Sequence, residues 1–306
     1  MKELPILEIQ KVSKKIKKKQ ILEDISFYVK KGEIVGLIGP NGSGKTTLIR
    51  LITGLAKIDS GSIKLSGISV TDQFEKSIAQ IGAIIENPNF YEYMSGWDNL
   101  KLYADMYESI TDDRIQEVVN LTRLSKRIHD DVASYSLGMK QRLGIAQAIL
   151  HSPRILVLDE PTNGLDPAGI RELREHLTYL SKVEGISILI STHLLHEVET
   201  LCDRVVIIQQ GKILAEKSVQ TEESNEMITL SIQTTQIEMA RKLLSENYNL
   251  TFSNNDHISL QVQFNQIPQV NKLLVQQDIP VFKLSVLDNS LEETFIQMTN
   301  EGNDLD

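Results

Sequence analysis

The sequence holds one cysteine, Cys202, so no intrachain disulfide can form and a reducing compartment is the natural setting. Cys202 stands in an apolar stretch and reads as a core residue rather than a nucleophile. No apolar run approaches 18 residues, so no segment reads as a membrane-spanning helix. If the protein serves a membrane, other chains supply the membrane part. The opening Met1-Lys2-Glu3-Leu4-Pro5 lacks the apolar region of a signal peptide. Aromatic residues are sparse, at 5%, and an excess of positive charge is missing: the formal net charge is −9. A protein whose main task is to bind nucleic acid carries a basic face, so no nucleic-acid partner is expected. Phosphate binding survives this exclusion, because backbone N–H groups, one lysine and Mg²⁺ can hold it.

A length of 306 residues accommodates one large domain and a small one, or two mid-sized domains. The segments Ile6–Ile9 and Ile21–Tyr28 read as strands. Between them, lysines at 11, 14, 15, 17, 18 and 19 read as a solvated hairpin turn rather than a nucleic-acid patch. Glu33–Ile38 is an apolar strand, Thr47–Leu55 a helix, and residues 87–150 are mostly helical. Arg154–Leu158 and Ile186–Ser191 read as strands, Arg171–Val183 and Leu194–Leu201 as helices. This alternation predicts an α/β core with a largely parallel sheet. Residues 219–225 turn polar and read as a linker. Beyond them the predicted order is strand 227–233, helix 236–246, strands 249–253 and 257–263, helix 266–277 and strand 280–287. A last helix, Leu291–Met298, closes the chain. The β-α-β-β-α-β order fits a small ferredoxin-like α+β domain over 226–306.

Gly39-Pro40-Asn41-Gly42-Ser43-Gly44-Lys45-Thr46 matches G-x-x-x-x-G-K-[ST] between a strand and a helix, with Thr47 following. The glycines allow a nest of N–H groups around phosphate oxygens, and the helix start adds a positive dipole end. Lys45 is expected on the β- and γ-phosphates, and the Thr46 hydroxyl on Mg²⁺. This loop alone leaves ATPase, kinase and GTPase open. Ile155-Leu156-Val157-Leu158-Asp159-Glu160 is an apolar strand ending in two carboxylates. Parallel strands present ligands at their carboxyl ends. Asp159 is therefore expected to hold Mg²⁺ and Glu160 to orient or deprotonate the attacking water.

Tyr135-Ser136-Leu137-Gly138-Met139-Lys140-Gln141-Arg142 resembles the signature motif of ABC ATPases, usually L-S-G-G-Q. Leu137 and Met139 depart from that pattern, while Ser136 and Gly138 are kept at a predicted helix start. With the phosphate loop, the carboxylate strand, Asn163-Gly164-Leu165-Asp166 and His193, the chain resembles an ABC nucleotide-binding domain over residues 4–218. The resemblance implies a P-loop NTPase cassette with a RecA-like α/β core, an antiparallel β subdomain and a helical subdomain near 87–150. It also implies an ATPase that pairs head to tail as a homodimer, each ATP held by Lys45 and Thr46 of one chain and by Ser136 and Gly138 of the other. Asp166 would communicate across that interface, and His193 would bond the γ-phosphate and hold Glu160. Integral membrane permease subunits would be partners, placing the chain at the cytoplasmic face of the membrane. The family also includes soluble, non-transport members, most with two cassettes or a long coiled-coil insert, and neither feature is present here.

Two departures narrow the resemblance. Ile81-Gly82-Ala83-Ile84-Ile85-Glu86-Asn87-Pro88 puts Glu86 where the family normally carries glutamine. Glu86 can still take part in catalysis and bind Mg²⁺ or water, while adding negative charge near the γ-phosphate. Together with the form of the signature, it resembles the bacitracin and lantibiotic export and immunity branch, implying antimicrobial-peptide substrates. Second, Ile16 stands where many cassettes stack adenine on an aromatic residue, so weak base selectivity is expected. The C-terminal piece resembles the small regulatory or dimer-supporting domain that follows many bacterial drug-export cassettes, and it reads as a packing and dimerisation module.

Overall fold

The structure is a computed structural model that describes residues 4–86, 88–107, 109–219, 227–253 and 257–287. The chain opens with β1 (Leu7–Ile16) and β2 (Lys19–Val29), then β3 (Ile34–Ile38) and α1 (Lys45–Ile52). Strands β4 (Ser60–Leu65) and β5 (Ile68–Ser69), helix α2 (Phe74–Ile78) and strand β6 (Ile81–Ile84) follow. Next come α3 (Gly96–Ala104), α4 (Asp112–Leu121), α5 (Leu137–Ile149), β7 (Ile155–Asp159), α6 (Pro167–Lys182) and β8 (Ser187–Thr192). The first part ends with α7 (Leu195–Leu201), β9 (Arg204–Gln209) and β10 (Lys212–Ser218). The second comprises β11 (Met227–Gln233), α8 (Ile237–Ser245), β12 (Asn249–Ser253), β13 (His257–Gln263), α9 (Ile267–Gln276) and β14 (Lys283–Leu287). Contacts divide the chain into two units, Met1–Val219 and Gln220–Asp306.

The strands β3, β7 and β8 are buried along their whole length. Buried on both faces, they read as continuous apolar runs, the mark of a parallel sheet covered by helices. They lie inside a six-stranded sheet of order β10-β9-β3-β8-β7-β6, parallel except for the β9–β10 hairpin. The edge strand β10 instead alternates exposed and half-buried residues. A four-stranded antiparallel sheet, β2-β1-β4-β5, forms the second layer. Leu7, Ile9, Leu22 and Ile25 of its strands share one apolar core with Leu37 and Val157 of the parallel sheet.

The lysine-rich segment departs from expectation. Strand β1 runs through Ile16 and β2 resumes at Lys19, so the turn shrinks to Lys17–Lys18, with Lys17 at φ 56°. Lysine is a poor strand former. Here β1 is paired on both sides, to β2 and β4, and Val12 is fully buried, which overrides the local preference. Helix α6 begins at Pro167, four residues before the expected start. Asp166 accepts a hydrogen bond from the Gly169 N–H at 2.8 Å, and proline suits the first helical position.

In the second unit all neighbouring strands of the β12-β13-β11-β14 sheet are antiparallel. Leu230, Ile232, Ile258 and Leu260 on one face of it pack with Ala240 and Leu244 of α8 and Val270 and Leu274 of α9. Strand order and helix placement are ferredoxin-like. The strand expected over 280–287 is shorter, Lys283–Leu287. Residues 220–225 of the expected linker and the expected helix Leu291–Met298 lie outside the described residues.

Candidate active site

Strand register builds the site. Ile38 at the end of β3 is paired with Thr192 of β8, and Asp159 at the end of β7 with Ser191. The carboxyl ends of three parallel strands therefore deliver the glycine loop, the two carboxylates and His193 to one edge of the sheet.

The loop after β3 needs its glycines. Gly44 has φ 112°, and a Cβ there would lie 2.6 Å from Leu22 Cδ2. A Cβ on Gly39 would come within 2.2 Å of the Ile208 carbonyl oxygen. No side chain fits at either place. Lys45, first residue of α1, is only 6% exposed. Its ammonium donates to the carbonyls of Gly39 at 2.7 Å and Pro40 at 3.3 Å, and stands 3.4 Å from Glu160 Oε1. The Ser43 hydroxyl is buried with no hydrogen-bond partner among the described residues. The Ser43 carbonyl accepts from the Gly211 N–H at 3.0 Å, tying the loop to the β9–β10 turn.

Glu160 has φ 48°, a left-handed backbone that costs a non-glycine residue about 1–2 kcal/mol. Its N–H donates to the Ser191 carbonyl (3.1 Å) and to Ser191 Oγ (3.0 Å), which hold that conformation. The same Ser191 hydroxyl donates to Asp159 Oδ1 at 2.5 Å. Ser191 thus holds the Asp159 carboxylate and the Glu160 backbone, and it escaped sequence reading as an unremarked serine at the end of an apolar strand. The Glu160 side chain bridges two cationic or donor groups, with His193 Nδ1 at 2.7 Å from Oε2 and Lys45 on Oε1. An open cleft of about 430 Å³ adjoins this cluster. Asn41, Gly42, Gly44, Lys45, Thr46, Thr47, Glu160 and His193 line it. Two further residues line it: Ile21, which the sequence did not single out, and Asn163, which it placed only as the first residue of the Asn163–Asp166 motif.

Four expected residues lie elsewhere. Ser136 caps α5, its Oγ accepting from the Met139 N–H at 3.3 Å, and neither it nor Gly138 lines the cleft. Asp166 is engaged as the cap of α6 and is not a lining residue either. Glu86 is 70% exposed and pairs with Arg50 of α1 at 3.0 Å, so the structure does not bring it to the phosphate loop. Cys202 is buried, and burial pushes its thiol far above the usual range, which fits a core residue.

Among the described residues no helix is long and apolar enough to cross a membrane. A sequence model of the ABC transporter family matches residues 22–163. The uncharacterized ABC transporter ATP-binding protein YdbJ of Bacillus subtilis is 51% identical over 98% of this chain and 99% of its own length. The lantibiotic transport ATP-binding protein SrtF of Streptococcus pyogenes is 42% identical over 72% of this chain and 94% of its own. The solved structure of an ATP-binding subunit of an ABC transporter superposes with a TM-score of 0.62 at 35% identity, covering 70% of this chain and 90% of that one. A likeness of that extent, over nearly all of both sequences in one case, shows that the chain belongs to the ATP-binding proteins of ABC transporters, a family of ATPases.

Proposed function

We propose that this chain is the ATP-hydrolysing motor of an exporter, with Glu160 as the general base. The observation that carries the assignment is the pair of contacts on Glu160: His193 on one carboxylate oxygen, the phosphate-loop lysine near the other. An incoming γ-phosphate would draw Lys45 toward its oxygens and leave Glu160 aligned by His193 toward a water. Gly39 to Thr47 would wrap the phosphates with backbone N–H groups.

A hydroxyl at Thr46 and a carboxylate at Asp159 are hard oxygen donors of the kind Mg²⁺ takes. Asp159 is buried with a Ser191 hydrogen bond on one oxygen. Among the described residues no three His, Cys, Asp or Glu side chains gather into a metal cluster. Bound there, Mg²⁺ would neutralise charge on the phosphate oxygens.

Ser136 and Gly138 do not line their own chain's cleft, so their contribution would come in a head-to-tail homodimer, against the ATP of a second copy. Asp166, beside that seam, would communicate across it. Residues 4–218 form the cassette in this reading, joined by 219–225 to an accessory domain over 226–306. Permease subunits would hold the dimer at the cytoplasmic face of the membrane. The name of SrtF and the glutamate at position 86 support antimicrobial peptides as cargo. Two experiments test this. Phosphate release by the Glu160→Gln variant should fall about 10²–10⁴-fold with ATP still bound; undiminished turnover removes Glu160 as the base. Deleting the gene should lower tolerance of nisin or bacitracin; unchanged tolerance across a peptide panel removes the cargo.

A further inference from the structure

A third carboxylate, besides Asp159 and Glu160, lies against the segments that carry Glu160 and His193. Glu197, in the first turn of α7, accepts two hydrogen bonds on Oε2, from Thr162 Oγ1 at 2.7 Å and from Thr192 Oγ1 at 3.0 Å. Both threonines are buried. Thr192 immediately precedes His193, and Thr162 lies two residues after Glu160. The Thr192 hydroxyl also accepts from the Leu194 N–H at 3.0 Å, so the residues on both sides of His193 are fixed by one oxygen. On the other segment, the Asn163 N–H donates to the Glu160 carbonyl and the Leu165 N–H to the Thr162 carbonyl.

Two staples therefore join the same two backbone segments. The outer one is His193 to Glu160. The inner one is Thr192 to Glu197 to Thr162. The inner staple is not one that stability alone favours, because Glu197 Oε1 is buried with no hydrogen-bond partner among the described residues. A buried carboxylate oxygen without a donor opposes folding. A glutamate at the third position of a helix ordinarily turns back to cap it. Here the side chain reaches to a different loop, and α7 has no side-chain cap.

We propose that Glu197 is a positioning residue for hydrolysis: it locks the His193 segment to the loop after Glu160, and so holds the imidazole against the base. The inference rests on the Glu160 and His193 assignment above. If His193 must meet Glu160 within hydrogen-bond distance, a small slip of β8's end against that loop breaks the contact without touching the phosphate cradle.

The test uses the full chain and separates the two readings. Glu197→Ala should lower kcat at least tenfold and leave ATP affinity, measured by fluorescent nucleotide binding, within about twofold. Glu197→Gln keeps an acceptor oxygen for both hydroxyls and should restore most of kcat. Thr192→Val, which removes one hydroxyl with little change of shape, should reproduce part of the loss and serves if the alanine variant does not fold. In a His193→Ala background, Glu197→Ala should cost less than twofold further. Equal fold-losses in both backgrounds, or parallel loss of ATP affinity and kcat, would overturn the role of Glu197. Full activity of His193→Ala would instead overturn the underlying site assignment, and Glu197's role with it.

Discussion

At the scale of single residues, the site is held by contacts that tolerate little change. The Cβ of a Gly39→Ala variant would meet the Ile208 carbonyl oxygen at 2.2 Å, a backbone atom fixed within β9. Overpacking of this kind destabilises by about 1–3 kcal/mol. The variant should show a lower unfolding midpoint and lose nucleotide binding; unchanged values for both would contradict the geometry. Base recognition is the other residue-scale matter. Ile16 is half exposed at the end of β1, and among the described residues no Phe, Tyr or Trp side chain lines the cleft. Stacking of a base on an aromatic ring is worth about 1–3 kcal/mol. Lacking it, the protein should turn over GTP with kcat/KM within about tenfold of ATP, and ATP-only activity would refute this. The phosphate loop and the Asp159–Glu160 pair were legible in the sequence because each is contiguous, with every member adjacent to the next. Ser191, Ile21 and Glu197 were not legible, since each is a lone residue carried to the cleft or its support by strand register or helix packing. Glu86 was legible as an unusual residue, but its ion pair with Arg50, 36 positions away, was not.

At the scale of elements, helix α6 carries a group that should respond to acid. His176 of α6 is only 3% exposed, and neither ring nitrogen has a hydrogen-bond partner among the described residues. Burial, with the charges of Arg123 and Arg142 adding to it, holds its pKa down to about 4. The unfolded chain binds that proton near pH 6.5. Between these values the unfolded state carries more protons, so stability falls as pH drops. Lowering the pH from 7 to 5 should remove about 2 kcal/mol on this account. Urea titrations of wild type and His176→Leu at the two pH values check this, and an undiminished drop in the variant would refute it. The start of α6 shows how far local signals reach. The Asp166-Pro167 pair is a strong start signal that lay hidden inside a stretch singled out for another reason. The lysines of β1 and β2 mislead in the opposite way: local propensity speaks for a turn, and pairing to two neighbours decides for strand.

At the scale of the molecule, each unit has its own apolar core, one built on β1 to β9, the other on β11 to β14 and helices α8 and α9. A chain ending at Val219 should therefore fold and hydrolyse ATP, and insolubility or loss of a cooperative unfolding transition would contradict that independence. The alternation of strand and helix made both units readable from sequence. The partner of Ser136 and Gly138 was not readable within the chain, since they cap and begin α5 away from the cleft. In the head-to-tail homodimer proposed above, a second copy would bring those residues to the nucleotide. Light scattering on the Glu160→Gln variant, with saturating ATP and Mg²⁺, measures this most directly. The expected result is twice the 34.5 kDa mass of one chain, reverting to one chain when Gly138→Asp is added. A single-chain mass for Glu160→Gln at saturating nucleotide would contradict it.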